Sequence, residues 1–121
     1  MSKSKIQLGR FGEQLAGKYL KSKGYKILAK NFYTRNGEID LVCQKNNVIT
    51  FVEVKTRTNR NFGWPEEAVT EQKLEKIALA AEKYLQDHKI KFEWQIDIIS
   101  ILIDKKIRLA KLGHLKNIVI S

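Results

Sequence analysis

Apolar positions recur along this chain with two periods, and the switches between them mark out its elements. From Leu8 to Leu20 they fall at Leu8, Phe11, Leu15 and Tyr19, the spacing of one helix face, and Gly24 stands where a helix C-terminal glycine belongs. This predicts a first helix ending near Ser22 or Lys23. Tyr25 to Tyr33 then predicts a strand, followed by a polar turn through Thr34, Arg35, Asn36 and Gly37. Glu38 to Cys43 and Val48 to Lys55 are two further strands, joined by a tight turn at Asn46-Asn47 because asparagine tolerates positive φ. Thr70 is a good N-cap, and Val69 with Leu74 is placed for a hydrophobic staple. The stripe Leu74, Ile77, Ala78, Ala81, Tyr84 and Leu85 carries a second helix to about Asp87. Phe92 to Ile103 is nearly continuously apolar, as expected of a strand buried on both faces, and Lys106 to Leu112 predicts a shorter last strand. The order α-β-β-β-α-β-β predicts an α/β fold, a mixed central β-sheet flanked by helices.

Composition narrows the setting. The 121 residues contain no repeat and no linker, so a single domain over 1–121 is expected, with 1–8 as a flexible basic start. No apolar run approaches the length of a membrane span, and no apolar stretch follows Met1-Ser2-Lys3-Ser4-Lys5 as a secretory signal requires. Cys43 stands alone, which excludes a disulfide within the chain and makes a reducing cytoplasm the expected compartment. The net charge is +10, and residues 1–35 hold nine basic side chains against one acid, Glu13. A basic end of this kind points to a polyanion, with nucleic acid ahead of a membrane surface, because no amphipathic basic helix with bulky apolar anchors is present.

Candidate chemistry gathers on the hairpin. With Asn46-Asn47 as turn residues, Lys45 faces Val48, Asp40 faces Glu53 and Glu38 faces Lys55. The period of two puts these four ionisable groups on one side of the sheet. Two opposed carboxylates repel unless something compensates, and a divalent cation is the obvious compensation. Mg²⁺ accepts one or two carboxylates and completes its shell with water and phosphate oxygens. Lys55 then has a role in orienting or deprotonating water, or in stabilising charge on phosphorus. The competing account is a salt-bridged hairpin in which Lys55 neutralises Glu38 and Asp40 faces solvent. Glu13 is centred among Gly9, Ala16, Gly17 and Leu20, where small neighbours permit close approach of another element; it is a further ligand or a helix charge partner. Lys73 follows the Thr70 cap in the first turn, a phosphate-friendly place, or its stem covers apolar surface. Arg57, Arg60, Phe62 and Trp64 put cations and aromatics in one loop, a composition suited to backbone contacts and base stacking. Asp97 lies in an apolar strand and needs a partner, while Cys43 has the opposite strand parity from Asp40 and is expected in the core.

Gly9-Arg10-Phe11-Gly12-Glu13, Asn31 with Gly37-Glu38-Ile39-Asp40, Phe51-Val52-Glu53-Val54-Lys55-Thr56-Arg57, and Phe62-Gly63 through Ala68-Val69 to Lys73 together resemble the YraN-like family of uncharacterised bacterial proteins. That family is similar to the PD-(D/E)xK nuclease superfamily, particularly archaeal Holliday junction resolvases, with the restriction-endonuclease-like fold. The resemblance implies a metal-dependent endonuclease acting on DNA, with branched or damaged DNA as the expected substrate and Mg²⁺ or Mn²⁺ as cofactor. It makes Asp40 the first motif acid, Glu53 and Lys55 the E-x-K pair, and Glu13 the extra acid from the first helix. Asp40 and Glu53 are the expected metal ligands, and Arg10, Arg35, Arg57, Arg60 and Lys73 the expected nucleic-acid contacts. A catalytically silent nucleic-acid-binding module on the same fold is the alternative. Symmetrical cutting of two strands by resolvase-like enzymes favours a twofold homodimer. Gln95-Ile96-Asp97 departs from the family pattern, which has an arginine before the aliphatic residue and the acid; His114 and Asn117 resemble its tail.

Overall fold

A computed structural model describes residues 3–59 and 63–119. Its elements are α1 (Lys3–Ser22), β1 (Lys26–Tyr33), β2 (Glu38–Lys45), β3 (Val48–Arg57), a 3-10 turn (Pro65–Ala68), α2 (Glu71–Asp87), β4 (Glu93–Asp104) and β5 (Leu109–Leu115). This is the predicted order, a five-stranded mixed sheet with two helices. The strands lie in sequence order, with β3 and β4 parallel across the α2 crossover and every other neighbouring pair antiparallel. Among the described residues no helix is long and apolar enough to cross a membrane.

Each helix covers one face of the sheet. Ala16 and Leu20 of α1 close a core layer with Tyr25, Leu41, Cys43, Val52, Ile99 and Ile101. Leu74, Ile77, Ala80, Ala81 and Tyr84 of α2 close the other with Ile39, Val42, Ile49, Phe51, Ile96 and Ile98. Alternation along β3 and β4 feeds both layers, so both strands are buried on both faces, with Thr50, Glu53, Thr56, Asp97 and Ser100 as their buried polar side chains. Thr70 caps α2 as expected, its hydroxyl accepting from Lys73 N at 3.1 Å. Cys43 is fully buried, and its thiol is pushed up to about 12, chiefly by burial and also by the Asp97 charge.

The largest differences from the sequence pattern are at the start of α1 and at both ends of β5, which runs Leu109–Leu115 rather than Lys106 to Leu112. Helix α1 begins at Lys3, so residues 3–8, expected as a flexible basic start, are its first turns. Strand β5 begins at Leu109, three residues late, because the Asp104 carboxylate accepts from Lys106 N and Ile107 N and folds residues 105–108 into a turn. Arg108 leaves that turn at φ 54°.

Asp97, wholly buried on the α1 face, finds the partners it required. Its Oδ2 lies 2.7 Å from His114 Nε2, and its Oδ1 accepts from Asn117 N and Gln95 Nε2, both at 2.9 Å. His114 Nδ1 in turn meets the Tyr19 hydroxyl at 2.9 Å, tying β4, β5 and α1 together. The family-like tail residues therefore serve a buried charge, and Gln95 stands in that network rather than toward the carboxylates of the hairpin.

Candidate active site

The β2–β3 ladder follows the predicted register from Lys45↔Val48 to Leu41↔Val52 and then stops. Beyond that point Asp40 Oδ2 accepts from Val54 N at 2.8 Å, so a carboxylate oxygen takes the place of a ladder carbonyl. The cause lies one strand away. In the β1–β2 ladder the pairing runs Lys30↔Leu41 and then Phe32↔Ile39, passing over Asn31 and Asp40. Asn31 has φ 51°, a left-handed conformation that asparagine tolerates better than most residues. Ala29 and Phe32 consequently pack against the same core layer, as do Val42 and Ile39, although residues three apart in a regular strand face opposite ways. Both strands reverse their alternation at the level of Asn31 and Asp40, and the Asp40 carboxylate is delivered to the gap between β2 and β3.

Glu53 meets it there. Its carboxyl hydrogen-bonds Asp40, and both side chains are buried, Asp40 at 8% and Glu53 at 5% exposure. Burial, the hydrogen bond and the Asp40 charge lift the Glu53 pKa from 4.5 to about 8, opposed by Lys73 and Lys55. Lys73 Nζ lies 3.6 Å from Glu53 Oε2. Among the described residues that Oε2 is one of the few buried side-chain oxygens with no hydrogen-bond partner. Burial of an unsatisfied carboxylate oxygen is costly, so the arrangement is poised to accept a cation or a donor.

Helix α1 brings the third acid. A Cβ on Gly12 would collide with Thr56 Oγ1, so glycine is what lets α1 cross β3 closely enough for Glu13 to reach the cluster. Glu13 is raised from 4.5 to about 6 by burial and by the charges of Asp40 and Glu38, with Asn31 and Arg10 acting in the opposite direction. With its amide oriented to donate, Asn31 nitrogen lies 3.1 Å from Glu13 Oε1 and 3.2 Å from Glu38 Oε1. Glu38 is raised by burial and by Asp40, and is held down by Lys73 and by a hydrogen bond from Tyr33.

Glu13, Asp40, Glu53, Lys55 and Lys73 thus converge at the end of the sheet where β2 and β3 part, and Arg10 flanks Glu13. Two expectations are corrected. The Glu38–Lys55 pair does not form, because the ladder ends before it; Glu38 turns to Asn31, Tyr33 and Lys73. Asp40 does not face solvent, which removes the salt-bridged hairpin as an account of the site. Arg57 is exposed at the end of β3, with its guanidinium donating to Thr56 O at 3.0 Å, and Arg35 is exposed in the turn between β1 and β2. Arg60 and Phe62 lie outside the described residues. Asn31 was not among the expected site residues, and the one available signal for it was its place in the quoted motifs; Glu38 was expected on this side of the hairpin only as the partner of Lys55.

Comparison with known proteins agrees with the motifs. The profile of "Uncharacterised protein family UPF0102" matches residues 12–101, a span from Gly12 to Ile101 that takes in every carboxylate of the site. A UPF0102 protein of Syntrophomonas wolfei is 50% identical over 113 residues, covering 92% of this chain and 96% of the relative. Another, from Caldanaerobacter subterraneus, is 45% identical over 116 residues, covering 94% and 95%. Match over most of the chain, at these identities, establishes that the protein belongs to the UPF0102 family, the YraN-like proteins its motifs resemble.

Proposed function

We propose that this protein is a divalent-metal-dependent phosphodiesterase acting on DNA, with branched or damaged DNA as substrate. The observation that carries the proposal is the buried Asp40–Glu53 pair, with one oxygen that makes no hydrogen bond and two lysines beside it. The donor set fits Mg²⁺ or Mn²⁺, since hard oxygen ligands and incomplete protein coordination are what these ions accept when water and phosphate oxygens fill the rest. Among the described residues no group of three or more His, Cys, Asp or Glu is assembled to hold a metal by itself, so Asp40 and Glu53 would hold the ion. When bound, such an ion polarises the phosphate and acidifies water.

The remaining work belongs to the side chains. Lys55 follows Glu53 on the same face of β3 and presents its ammonium to the attacking water or to charge developing on phosphorus. Lys73 adds a second cation from the first turn of α2. Glu13, with a pKa of about 6, is ionised at neutral pH and near enough to it to accept a proton from water. Asn31 bridges Glu13 and Glu38 by hydrogen-bonding both. Arg10, Arg35 and Arg57 are exposed cations for the DNA backbone.

Purified protein incubated with four-way junction, nicked and supercoiled DNA in Mn²⁺ or Mg²⁺ tests this, with Glu53→Ala as control. Cleavage by the wild type alone is expected; equal cleavage by the variant overturns the proposal. One observation favours a silent DNA-binding module instead: Lys73 Nζ, 3.6 Å from Glu53 Oε2, already sets a positive charge beside the carboxyl pair. Salt-dependent DNA binding without cleavage under any divalent ion selects that reading.

A further inference from the structure

Strand β1 is an edge of the sheet, and an open groove of about 450 Å³ lies between it and the last turn of α1. We infer that this groove, lined by Lys21, Lys26 and Lys30, takes the phosphate backbone of a single DNA strand that continues from the carboxylate site. The inference deepens the phosphodiesterase reading, since it requires a substrate with an unpaired strand beside the scissile bond, and it rests on that reading for the identity of the polymer.

Charge sets the kind of partner. Residues 14–37 carry six basic side chains and no acid. Lys21, Lys26 and Lys30 are exposed, and among the described residues none of them makes an ion pair. Unneutralised cations around one groove attract a polyanion. Lysine on an edge strand also discourages pairing with another chain. Here the bulge between Ile27 and Ala29 and the left-handed Asn31 already fill that role, which in any case asks for no cation on the facing helix. The same irregularities argue against an acidic peptide added as a further strand, because they interrupt the row of backbone groups with which it would pair.

The groove starts at the site. Lys30 pairs with Leu41, the chain neighbour of Asp40, and precedes Asn31, which bridges Glu13 and Glu38. On α1, Arg10, Gly17 and Lys21 share one flank, seven and four residues apart. A Cβ on Gly17 would meet nothing within 4 Å, so that flank is open between the two cations. From Arg10 to Lys21 the helix rises about 16 Å, the length of roughly four or five phosphates at about 3.4 Å each in a stacked strand.

Size and lining select one strand, held by its backbone. The volume lies in the lower half of the range of roughly 300–1,000 Å³ that encloses one small molecule, so it admits one nucleotide at a time and excludes a duplex. Tyr25, the aromatic residue of the groove, is buried, and Lys45 Nζ lies 5.1 Å from its ring centroid. Contact is therefore with phosphates rather than by stacking, and it is indifferent to base sequence.

Two labelled DNA hairpins with the same blunt stem, one of them carrying an oligothymidine tail, are titrated in EDTA by fluorescence anisotropy. The wild type is expected to bind the tailed hairpin about tenfold more tightly. Lys21→Gln combined with Lys30→Gln removes most of that preference and lowers the salt slope for the tailed hairpin by about 1.4, two single-strand contacts at about 0.7 each. Lys105→Gln combined with Lys106→Gln, the same loss of charge on the turn between β4 and β5, leaves the preference in place. Equal affinity for the two hairpins, a tail preference that survives loss of Lys21 and Lys30, or the same loss in both double variants overturns the inference. So does binding to phosphatidylserine vesicles that depends on Lys21 and Lys30 while the two hairpins bind alike, which assigns the groove to a membrane surface. Cleavage of the tailed hairpin by the wild type in Mn²⁺ is measured alongside. Cleavage without a lysine-dependent tail preference removes the groove and keeps the nuclease; the tail preference without cleavage removes the nuclease and keeps the groove.

Discussion

Glutamine at position 53 preserves the outline of the side chain and removes its charge, which isolates the property on which the site depends. Glu53 titrates near 4.5 when unfolded and near 8 when folded, because burial and Asp40 disfavour its carboxylate. Below pH 4.5 both states hold the proton. Between 4.5 and about 8 the folded chain keeps it while the unfolded chain has released it, so fewer protons are bound in the unfolded state and stability falls as pH rises. At about 1.4 kcal/mol per pH unit the window amounts to roughly 5 kcal/mol, or some 2–5 kcal/mol once water reaching the pocket is allowed for. Glu13 adds a smaller loss of the same sign that is complete near pH 6. Urea denaturation of wild type and Glu53→Gln from pH 4 to pH 9 should give profiles that diverge across this window, with the variant more stable at the alkaline end. A divalent ion bound to the Asp40–Glu53 pair restores wild-type stability at pH 8, by about 2.7 kcal/mol at a hundredfold excess over its Kd, and does little for the variant. Parallel profiles, or equal stabilisation of both proteins by Mn²⁺, would refute the placement of a buried, ion-accepting carboxyl at this position.

Other perturbations test other parts of the same construction. Gly12→Ala forces α1 away from Thr56 and should cost about 1–3 kcal/mol in urea denaturation, with Thr56→Ala in the same chain recovering much of it. His114→Ala strips a partner from the buried Asp97 carboxylate and should destabilise by about 3–5 kcal/mol, and adding Asp97→Asn should return part of that loss. Lys73→Met removes the ammonium that favours ionised Glu53, so the pH profile of DNA cleavage should move to higher pH; an unmoved profile excludes Lys73 from the site. Neutralising Arg57 or Arg10 should lower the salt dependence of DNA binding by about one counterion each, with little change in stability.

Most of the architecture was legible because the elements that build it obey simple periods. The hairpin register was readable from Asn46-Asn47 and held to Leu41↔Val52, and the Thr70 cap was readable from residue type alone. The site was legible in its members and illegible in its detail. A period of two extended past Leu41 places Glu38 opposite Lys55, but no periodicity announces that Asn31 turns left-handed inside a strand and that β2 follows it. The β5 boundary was missed because its turn contains neither glycine nor proline and is made by a side chain, Asp104. Asp97 declared its need for a partner by standing in an apolar run, yet identifying His114 required the β4–β5 register, which local sequence does not encode.

The reversal of alternation shared by β1 and β2 limits how far this protein can be idealised. A valine in place of Asn31 suits an ordinary strand and resists positive φ, so it favours a regular ladder in which Phe32 and Ile39 no longer share a layer with Ala29 and Val42. Redesign toward smoother strands would then trade the placement of Asp40 for robustness, because the irregular backbone is itself the device that aims its carboxylate.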